Sequence, residues 1–151
     1  MEIKIRKAVR TDSEEIIRLI LELAKFEKLI PPDKAGQKRL LDNAFSDSPP
    51  FKILVSDQNG SLLGYAFYLF TYSSFEAKRT LYLEDIFISE DYRNKGIGKL
   101  FLDKIMKIAK ANDCGRMEWA VLDWNVNAIK FYEKLGAREL QEWKYFRMEL
   151  L

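Results

Sequence analysis

A strand, a basic glycine-bearing loop and an amphipathic helix follow one another between residues 81 and 110. Two adjacent acids, Glu84 and Asp85, interrupt the apolar run of residues 81–88. Residues 93–98 read Arg-Asn-Lys-Gly-Ile-Gly, and apolar residues then recur at helical spacing. Such a loop offers backbone N–H groups and the positive end of a helix dipole to an anion. The sequence therefore predicts an acid-bearing strand that leads into a phosphate-binding loop.

Two familiar phosphate-binding motifs do not match this loop. A P-loop requires G-x-x-x-x-G-K-[ST], whereas Leu100 follows Gly98-Lys99 and no glycine lies five residues before Gly98. A Rossmann fingerprint requires a third glycine where this chain has Phe101. What remains is R-x-x-G-x-G between a strand and a helix, a pattern that an ordinary strand–turn–helix junction also produces.

The absence of histidine limits the chemistry that this chain can perform. No histidine occurs in the 151 residues, which excludes Ser-His-Asp and Cys-His catalysis and the commonest zinc ligand. Acid–base chemistry then depends on Glu, Asp, Tyr, Lys or the one cysteine, and we expect no metal. Without a histidine to activate it, Cys114 is expected to be a structural thiol rather than a nucleophile.

Composition predicts one domain over residues 1–151, located in the cytoplasm. A chain that is 48% hydrophobic and 32% charged is typical of a globular protein, and a net charge of +2 does not indicate a nucleic-acid partner. The sequence has neither an apolar run of ~18 residues, the length that crosses a membrane, nor the apolar region of a signal peptide. A single cysteine forms no intrachain disulfide, which fits a reducing cytoplasm.

Hydrophobic periodicity and turn residues predict the order β-α-α-β-β-β-α-β-α-β. Thr11 and Glu14 match a capping box, Asp33 and Asn125 can cap later helices, and Gly136 follows the last helix. The predicted strands are residues 2–8, 51–56, 62–72, 81–88, 116–122 and 138–150. The first predicted helix ends at about residue 27, and the other helices are predicted at residues 33 to about 45, 97–110 and 125–135. This order implies a mixed sheet flanked by helices.

Several further blocks of sequence resemble one enzyme family. Residues 24–29 read AKFEKL, residues 81–85 LYLED, residues 120–125 AVLDWN and residues 131–137 FYEKLGA. With the R-x-x-G-x-G loop, these blocks resemble the GNAT N-acetyltransferases, and within them the diamine acetyltransferases and their thialysine-acetylating relatives. The resemblance implies an α/β (α+β) fold with a mixed, mostly antiparallel central sheet. It also implies acetyl-CoA as cosubstrate without a metal, a small-molecule amine as substrate, and a homodimer.

The resemblance implies an acetyl-CoA site where two neighbouring parallel strands separate. Strand backbone would pair with the pantetheine amides, the loop would bind the pyrophosphate, and the start of the last helix would form the opposite wall. Arg93 and Lys99 would neutralise phosphate charge, and Asn94 replaces a frequent glycine but tolerates left-handed backbone. The implied cofactor-binding residues are Ile86, Phe87, Ile88, Arg93, Asn94, Lys95, Gly96, Ile97, Gly98, Lys99, Asn125, Val126, Asn127 and Ala128.

The resemblance implies two catalytic side chains. Glu84 would act as a base through a bound water, and Tyr132 as the acid that protonates the departing thiolate. From the residues alone, Glu84 is also compatible with a buried salt bridge, and Tyr132 with a core aromatic beside Phe131. Asp85 alternates to the other face of the sheet and is expected to be structural. A backbone N–H, expected at Ile86, would stabilise the oxyanion.

The implied substrate contacts are carboxylates and aromatic rings. Ser73 stands where polyamine enzymes carry an aspartate, as it does in the thialysine-acetylating relatives, and Phe75 replaces a tryptophan. The implied substrate-binding residues are Phe26, Glu27, Ser73, Phe75, Glu84 and Trp143.

Two other functions fit the same scaffold. Acetylation of protein N-termini or lysines would require an open peptide groove, whereas Glu27 and Glu84 suit a compact cation. A non-catalytic module that binds acyl-CoA or a partner protein would not need Glu84 and Tyr132, which this chain retains.

Overall fold

The computed structural model describes residues 2–150. Five strands and four helices form within these residues, and we number them in chain order. The strands are β1 (Lys4–Lys7), β2 (Lys52–Gln58), β3 (Ser61–Ser73), β4 (Lys78–Ile88) and β5 (Arg116–Trp119), and the helices are α1 (Ser13–Glu27), α2 (Lys34–Ala44), α3 (Ile97–Ala111) and α4 (Val126–Lys134). None of these helices is both long and apolar enough to span a bilayer.

The chain divides into two compact units. The first, Met1–Ala120, contains every strand and the first three helices, and the second, Val121–Leu151, contains α4. The prediction of a single domain over residues 1–151 stays a prediction.

The first unit is built on one sheet with the strand order β1-β2-β3-β4-β5. Neighbouring strands are antiparallel except β4 and β5, which are parallel, so the prediction of a mixed, mostly antiparallel sheet is confirmed. The β2–β3 hairpin turns at Asn59 and Gly60, whose φ angles are 54° and 88°. Asp57 supports this turn because its carboxylate accepts the Gly60 N–H over 2.7 Å. Asparagine followed by glycine favours such a two-residue turn because both residues tolerate positive φ angles.

Helices pack on both faces of this sheet. Ile16 and Leu19 of α1 are fully buried in a cluster with Tyr65 of β3 and Phe87 of β4. Helix α3 packs against β1, β2, β4 and β5 and buries an apolar stripe that includes Phe101. Burying such side chains is the main favourable term in folding. The sheet is therefore held between α1 on one face and α3 on the other.

The ends of α1 and α2 are set by local chemistry. The Asp33 carboxylate accepts the Gly36 N–H over 2.8 Å and caps α2, as predicted. Helix α1 ends at Glu27, also as predicted. The capping box predicted at Thr11 is wrong, because Asp12 precedes α1 instead and its carboxylate is occupied elsewhere. Asp12 Oδ2 accepts the Val9 N–H over 2.8 Å, and the Arg6 guanidinium donates to both Asp12 oxygens.

Several predicted strand limits differ from the structure, and one predicted strand does not form. Strand β4 begins at Lys78 rather than residue 81, and β5 ends at Trp119 rather than residue 122. No strand forms in residues 138–150, where the Trp143 N–H donates to the Leu140 carbonyl in a turn. An alternating pattern forms a strand only where a neighbouring strand supplies the hydrogen bonds, so the pattern alone does not decide the structure of residues 138–150.

In the second unit, both ends of α4 follow the predicted pattern. Asn125 caps its N-terminus because the side-chain oxygen accepts the Ala128 N–H over 3.3 Å. Gly136 has a φ of 97° and donates to the Glu133 carbonyl, while the Ala137 N–H donates to the Tyr132 carbonyl. This pair of bonds is a Schellman motif, which uses glycine because the position requires left-handed backbone.

Candidate active site

A β-bulge places Glu84 outside the regular pairing of β3 and β4. Phe67 lies opposite Asp85, but the next residue of β3, Tyr68, lies opposite Leu83. Glu84 is therefore an extra residue on β4, and the alternation of side chains is reset at this point. Asp85 and Phe87 consequently share the face covered by α1, whereas Leu83 and Ile86 share the face covered by α3.

The bulge exposes Glu84 instead of burying it, which corrects the expectation of a buried mid-strand acid. Within residues 2–150, Glu84 forms no ion pair with a lysine or an arginine. The alternative of a buried salt bridge is therefore wrong for the part of the chain described. An exposed carboxylate without a protein cation can accept a proton or bind a cationic ligand.

Asp85 lies under the sheet in a hydrogen-bonded pair with Tyr65. The Tyr65 hydroxyl donates to Asp85 Oδ2 over 2.9 Å, and Tyr65 itself is fully buried. The pKa of the Asp85 carboxyl group is raised from 3.8 to about 6, and burial is the largest cause. The hydrogen bond from Tyr65 opposes this rise, whereas the charges of Glu84 and Glu27 contribute to it. Burial also raises the pKa of Tyr65, so its phenol remains a donor at neutral pH.

Helix α1 brings a third carboxylate and an aromatic ring to the same place. Glu27, the last residue of α1, is half-buried, and this burial raises the pKa of its carboxyl group. The charges of Glu27 and Glu84 both act on Asp85 and Tyr65. The Phe26 ring lies 6.5 Å from the Phe87 ring, centroid to centroid. The predicted substrate residues Phe26 and Glu27 thus lie near the part of β4 that follows Glu84.

Next to these carboxylates, the edge of β4 has no neighbouring strand. Parallel pairing of β4 with β5 ends at Leu83 and Trp119. Within residues 2–150, no strand pairs with residues 84–88 on that side of β4. The Ser89 N–H donates to β3 at the Leu63 carbonyl, so strand alternation directs the N–H groups of Ile86 and Ile88 to the open side. Pairing between the two parallel strands thus ends one residue before Glu84, and the acetyl-CoA site that the resemblance implies there stays a prediction.

The loop after β4 leads into the N-terminus of α3. Asn94 and Gly96 both adopt left-handed backbone, with φ angles of 61° and 81°. The prediction that Asn94 tolerates this conformation is confirmed. Gly96 precedes α3, and no heavy atom lies within 4 Å of the position that its Cβ would occupy. Among the residues described, the first turn of α3 contains no acidic residue, and no side chain caps this end of the helix. The N–H groups of the first turn are therefore suited to bind an anion.

The predicted phosphate-binding cations have other contacts in this structure. The Arg93 guanidinium lies 4.7 Å from the Phe26 ring centroid and 5.3 Å from that of Phe87. Arg93 Nε also donates to the Ile88 carbonyl over 2.9 Å. Lys99 pairs with Asp103 on the surface of α3 over 2.8 Å. The phosphate contacts of Arg93 and Lys99 stay predictions, and Arg93 here joins the β4 edge to α1.

Ser73 and Phe75 lie at the opposite end of the hairpin from Glu84. Ser73 pairs with Lys78, six residues before Glu84 on β4, which corresponds to a separation of about 20 Å at strand spacing. Ser73 Oγ accepts the Glu76 N–H over 3.1 Å and stabilises the turn, and Phe75 is fully exposed on it. Within one chain, the structure does not bring either residue to Glu84. Their roles in substrate selection stay predictions.

The other predicted site residues belong to the second unit. Tyr132 lies on α4 with its ring 5.6 Å from that of Phe131, and Trp143 is largely exposed in the segment that follows. Asn125 uses its side-chain oxygen to cap α4. The roles of these residues, and of Val126, Asn127 and Ala128, stay predictions.

Sequence reasoning did not single out Tyr65, and the structural role expected for Asp85 stays a prediction. Tyr65 lies in no motif that points to chemistry, and its contact with Asp85 depends on the register between two strands. One available signal was a tyrosine within an apolar strand, because a buried phenol usually finds a hydrogen-bond partner. For Cys114, burial raises the pKa of the thiol, which agrees with a structural rather than nucleophilic cysteine.

Comparison with known proteins identifies relatives that cover nearly the whole chain. The sequence profile described as "Acetyltransferase (GNAT) family" matches residues 16–137. A thialysine N-epsilon-acetyltransferase of Sus scrofa is 38% identical over 96% of this chain and 91% of its own length. The spermidine/spermine N(1)-acetyltransferase-like protein 1 of Homo sapiens is 36% identical over 95% of this chain, but only 22% of its own length.

Solved structures show the same fold. The crystal structure of a possible acetyltransferase from Clostridium difficile 630 superimposes with a TM-score of 0.86 over 100% of this chain and 99% of that protein. Its sequence identity is 22%, so this likeness concerns the fold alone.

Proposed function

The chain belongs to the acetyltransferase (GNAT) family, and we propose that it transfers an acetyl group from acetyl-CoA to the primary amine of a small cationic metabolite. The proposed acceptor is thialysine or another lysine-like amine, a diamine or a polyamine. N-acetyltransferase activity follows from family membership, whereas the substrate and the residue roles below are proposals.

The observation that carries this proposal is the open edge of β4 between Glu84 and the N-terminus of α3. The backbone N–H groups of Ile86 and Ile88, which face this open edge, suit the amides of pantetheine, which can pair there like an added strand. The loop at Asn94 and Gly96 suits a pyrophosphate because its left-handed backbone and the helix N-terminus present N–H groups. The residues present therefore fit the cosubstrate that the family uses.

Glu84 is proposed to prepare the amine for attack. Acetyl-CoA supplies a thioester that is already activated, so the main requirement is an unprotonated amine close to it. An exposed carboxylate at a strand bulge, without a protein cation, can accept the ammonium proton through a bound water. The Ile86 N–H, which faces the open edge, is the proposed donor to the oxyanion.

Tyr132 is the proposed acid for the departing thiolate. A phenol with an ordinary pKa of ~10 holds its proton at neutral pH and can deliver it to a stronger base. This role rests on the resemblance of residues 131–137 to the family and on the retention of the tyrosine. The backbone around it is well defined by the cap of α4 at Asn125 and the Schellman motif at Gly136.

The carboxylates at the end of α1 and in the bulge support a small cation as substrate. The charges of Glu27 and Glu84 both act on Asp85, and no lysine or arginine among residues 2–150 pairs with these three carboxylates. Relatives named for thialysine and for spermidine or spermine support the same class of amine. A homodimer in the cytoplasm, with no nucleic-acid or membrane partner, is also proposed from the resemblance and from the net charge of +2.

The test is an acetyl-CoA turnover assay in which released thiol is measured with a panel of amines. The panel contains thialysine, lysine, short diamines, spermidine, spermine and peptides with free N-termini or lysines. We expect turnover with at least one small amine and little with the peptides. Glu14→Gln, an exposed acid at the far end of α1, is the matched control for Glu84→Gln. Turnover with peptides alone would instead support a protein acetyltransferase.

A further inference from the structure

The hydrogen bond between Tyr65 and Asp85 is a feature that the mechanism above does not use. Tyr65 is fully buried, and its hydroxyl donates to Asp85 Oδ2 over 2.9 Å. A carboxylate that is largely removed from water and has no ion pair is unfavourable for folding. Phenylalanine in place of Tyr65 and leucine in place of Asp85 would fill the same space without this penalty, so the presence of the polar pair requires an explanation.

The second oxygen of Asp85 is available to a ligand. Oδ1 accepts no hydrogen bond from residues 2–150. Every fully buried side-chain oxygen in that part of the chain has a hydrogen-bond partner, so Oδ1 is not one of the fully buried atoms. Oδ1 is therefore in contact with solvent. Because the Tyr65 hydroxyl fixes Oδ2, it also fixes the direction in which Oδ1 points.

The charged groups around Asp85 come from each element packed against it. Glu84 precedes it on β4, Glu27 ends α1, and Tyr65 of β3 carries no charge at neutral pH. Arg93, in the loop after β4, stacks on aromatic rings and forms no ion pair with these carboxylates within residues 2–150. The site therefore has uncompensated negative charge that an ammonium group would neutralise.

We propose that Tyr65 is a positioning residue of the amine site, which holds Asp85 so that Oδ1 receives the ammonium group of the substrate beside Glu84. This inference rests on the proposed function and adds a second carboxylate to the site of the proposed base. Asp85 binds the cation before its proton is removed, and Glu84 then accepts that proton through water. No covalent bond forms at Asp85.

A dependence on pH follows from this arrangement. Asp85 binds an ammonium group only as a carboxylate, and its pKa is about 6. Amine binding, and with it kcat/KM, therefore falls as the pH falls through about 6. The hydrogen bond from Tyr65 lowers the pKa of Asp85, so its removal shifts this fall to a higher pH.

The experiment compares the pH dependence of kcat/KM in four proteins: wild type, Tyr65→Phe, Asp85→Asn and Tyr68→Phe. Tyr68 is the matched control because it is another buried tyrosine of β3, on the opposite face of the sheet. The amine's own protonation is common to all four proteins, so differences between the profiles report on the enzyme. Thermal denaturation confirms that each variant is folded.

We expect Tyr65→Phe to shift the acidic limb upward by roughly 0.5–1 pH unit, the effect of one lost hydrogen bond to a carboxylate. Asp85→Asn should raise KM by roughly 10- to 100-fold, with a smaller change in kcat. Tyr68→Phe should keep the wild-type profile. An unshifted profile in Tyr65→Phe, or a wild-type KM in Asp85→Asn, would overturn the proposal.

A measurement on the wild-type protein keeps the proposal testable if a variant does not fold. The Asp85 carboxyl carbon is titrated by ¹³C NMR alone and with thialysine or spermidine. A bound ammonium should lower the pKa of Asp85. If the pKa of Asp85 is unchanged by both amines, Asp85 does not bind the ammonium group. If the wild-type protein acetylates an amine but the expected changes in pH profile, KM and pKa are not seen, this inference alone is refuted. If the wild-type protein acetylates none of the amines, the proposed function is refuted.

Discussion

Replacing Asp85 by asparagine is expected to stabilise the protein at neutral pH. Asparagine has the same shape and keeps an oxygen that accepts the Tyr65 hydroxyl, but it carries no charge to desolvate. A carboxyl group whose pKa is raised in the folded protein favours folding in its protonated form. That contribution is fully present below pH 3.8 and is lost as the pH rises through about 6.

The size of the effect follows from the pKa of Asp85. A rise from 3.8 to about 6, at 1.36 kcal/mol for each pH unit, corresponds to about 3 kcal/mol. Relative to Asp85→Asn, the wild-type protein should therefore lose up to about 3 kcal/mol of unfolding free energy between pH 4 and pH 7. Other titrating groups are common to both proteins and cancel in the difference.

Urea denaturation at about pH 4 and about pH 7 measures this difference directly. Asp47→Asn is the matched control, because Asp47 is exposed in the turn before β2 and has no ion pair among residues 2–150. Its stability should equal that of the wild type at both pH values. The reasoning is refuted if Asp85→Asn is less stable than the wild type at pH 7, or if its advantage does not grow with pH.

The remaining predictions concern activity. Gly96→Val should weaken CoA binding in calorimetry far more than Gly60→Val, a control with a similar left-handed backbone and equally open surroundings in the β2–β3 turn. Equal CoA affinity in a folded Gly96→Val protein would contradict the loop assignment. Glu84→Gln should lower turnover most at neutral pH and recover partly at alkaline pH, while Tyr132→Phe should lower it by roughly 10²–10⁴-fold. A variant that keeps the wild-type rate across the pH range would exclude the role proposed for the residue that it replaces. Ser73→Asp should shift kcat/KM towards spermidine and spermine over thialysine, and an unchanged ratio would exclude Ser73 from substrate selection.

Helix ends were predictable where one side chain decides them. Asp33, Asn125 and Gly136 act on backbone groups a few residues away, so the residue type alone is informative. The predicted cap at Thr11 failed because Arg6, on β1, orders Asp12 and makes it the residue that precedes α1. A partner from another element is not visible in a local pattern.

The chemistry of the site was predictable only in part. An acid on a strand before a glycine-bearing loop pointed to Glu84, and the left-handed tolerance of asparagine predicted the backbone of Asn94. The bulge at Glu84 depends on the register of β3, and it decides which face of the sheet Asp85 occupies. Alternation along one strand therefore could not show that Asp85 meets Tyr65.

The unpaired stretch of β4 also affects how the protein behaves at high concentration. A free strand edge can pair with another chain and begin aggregation. Two features oppose such pairing here, because Arg93 occupies the Ile88 carbonyl and the bulge places the charge of Glu84 on the edge. The same two side chains therefore oppose aggregation through this strand edge, and variants that shorten Arg93 or neutralise Glu84 should be purified and stored dilute.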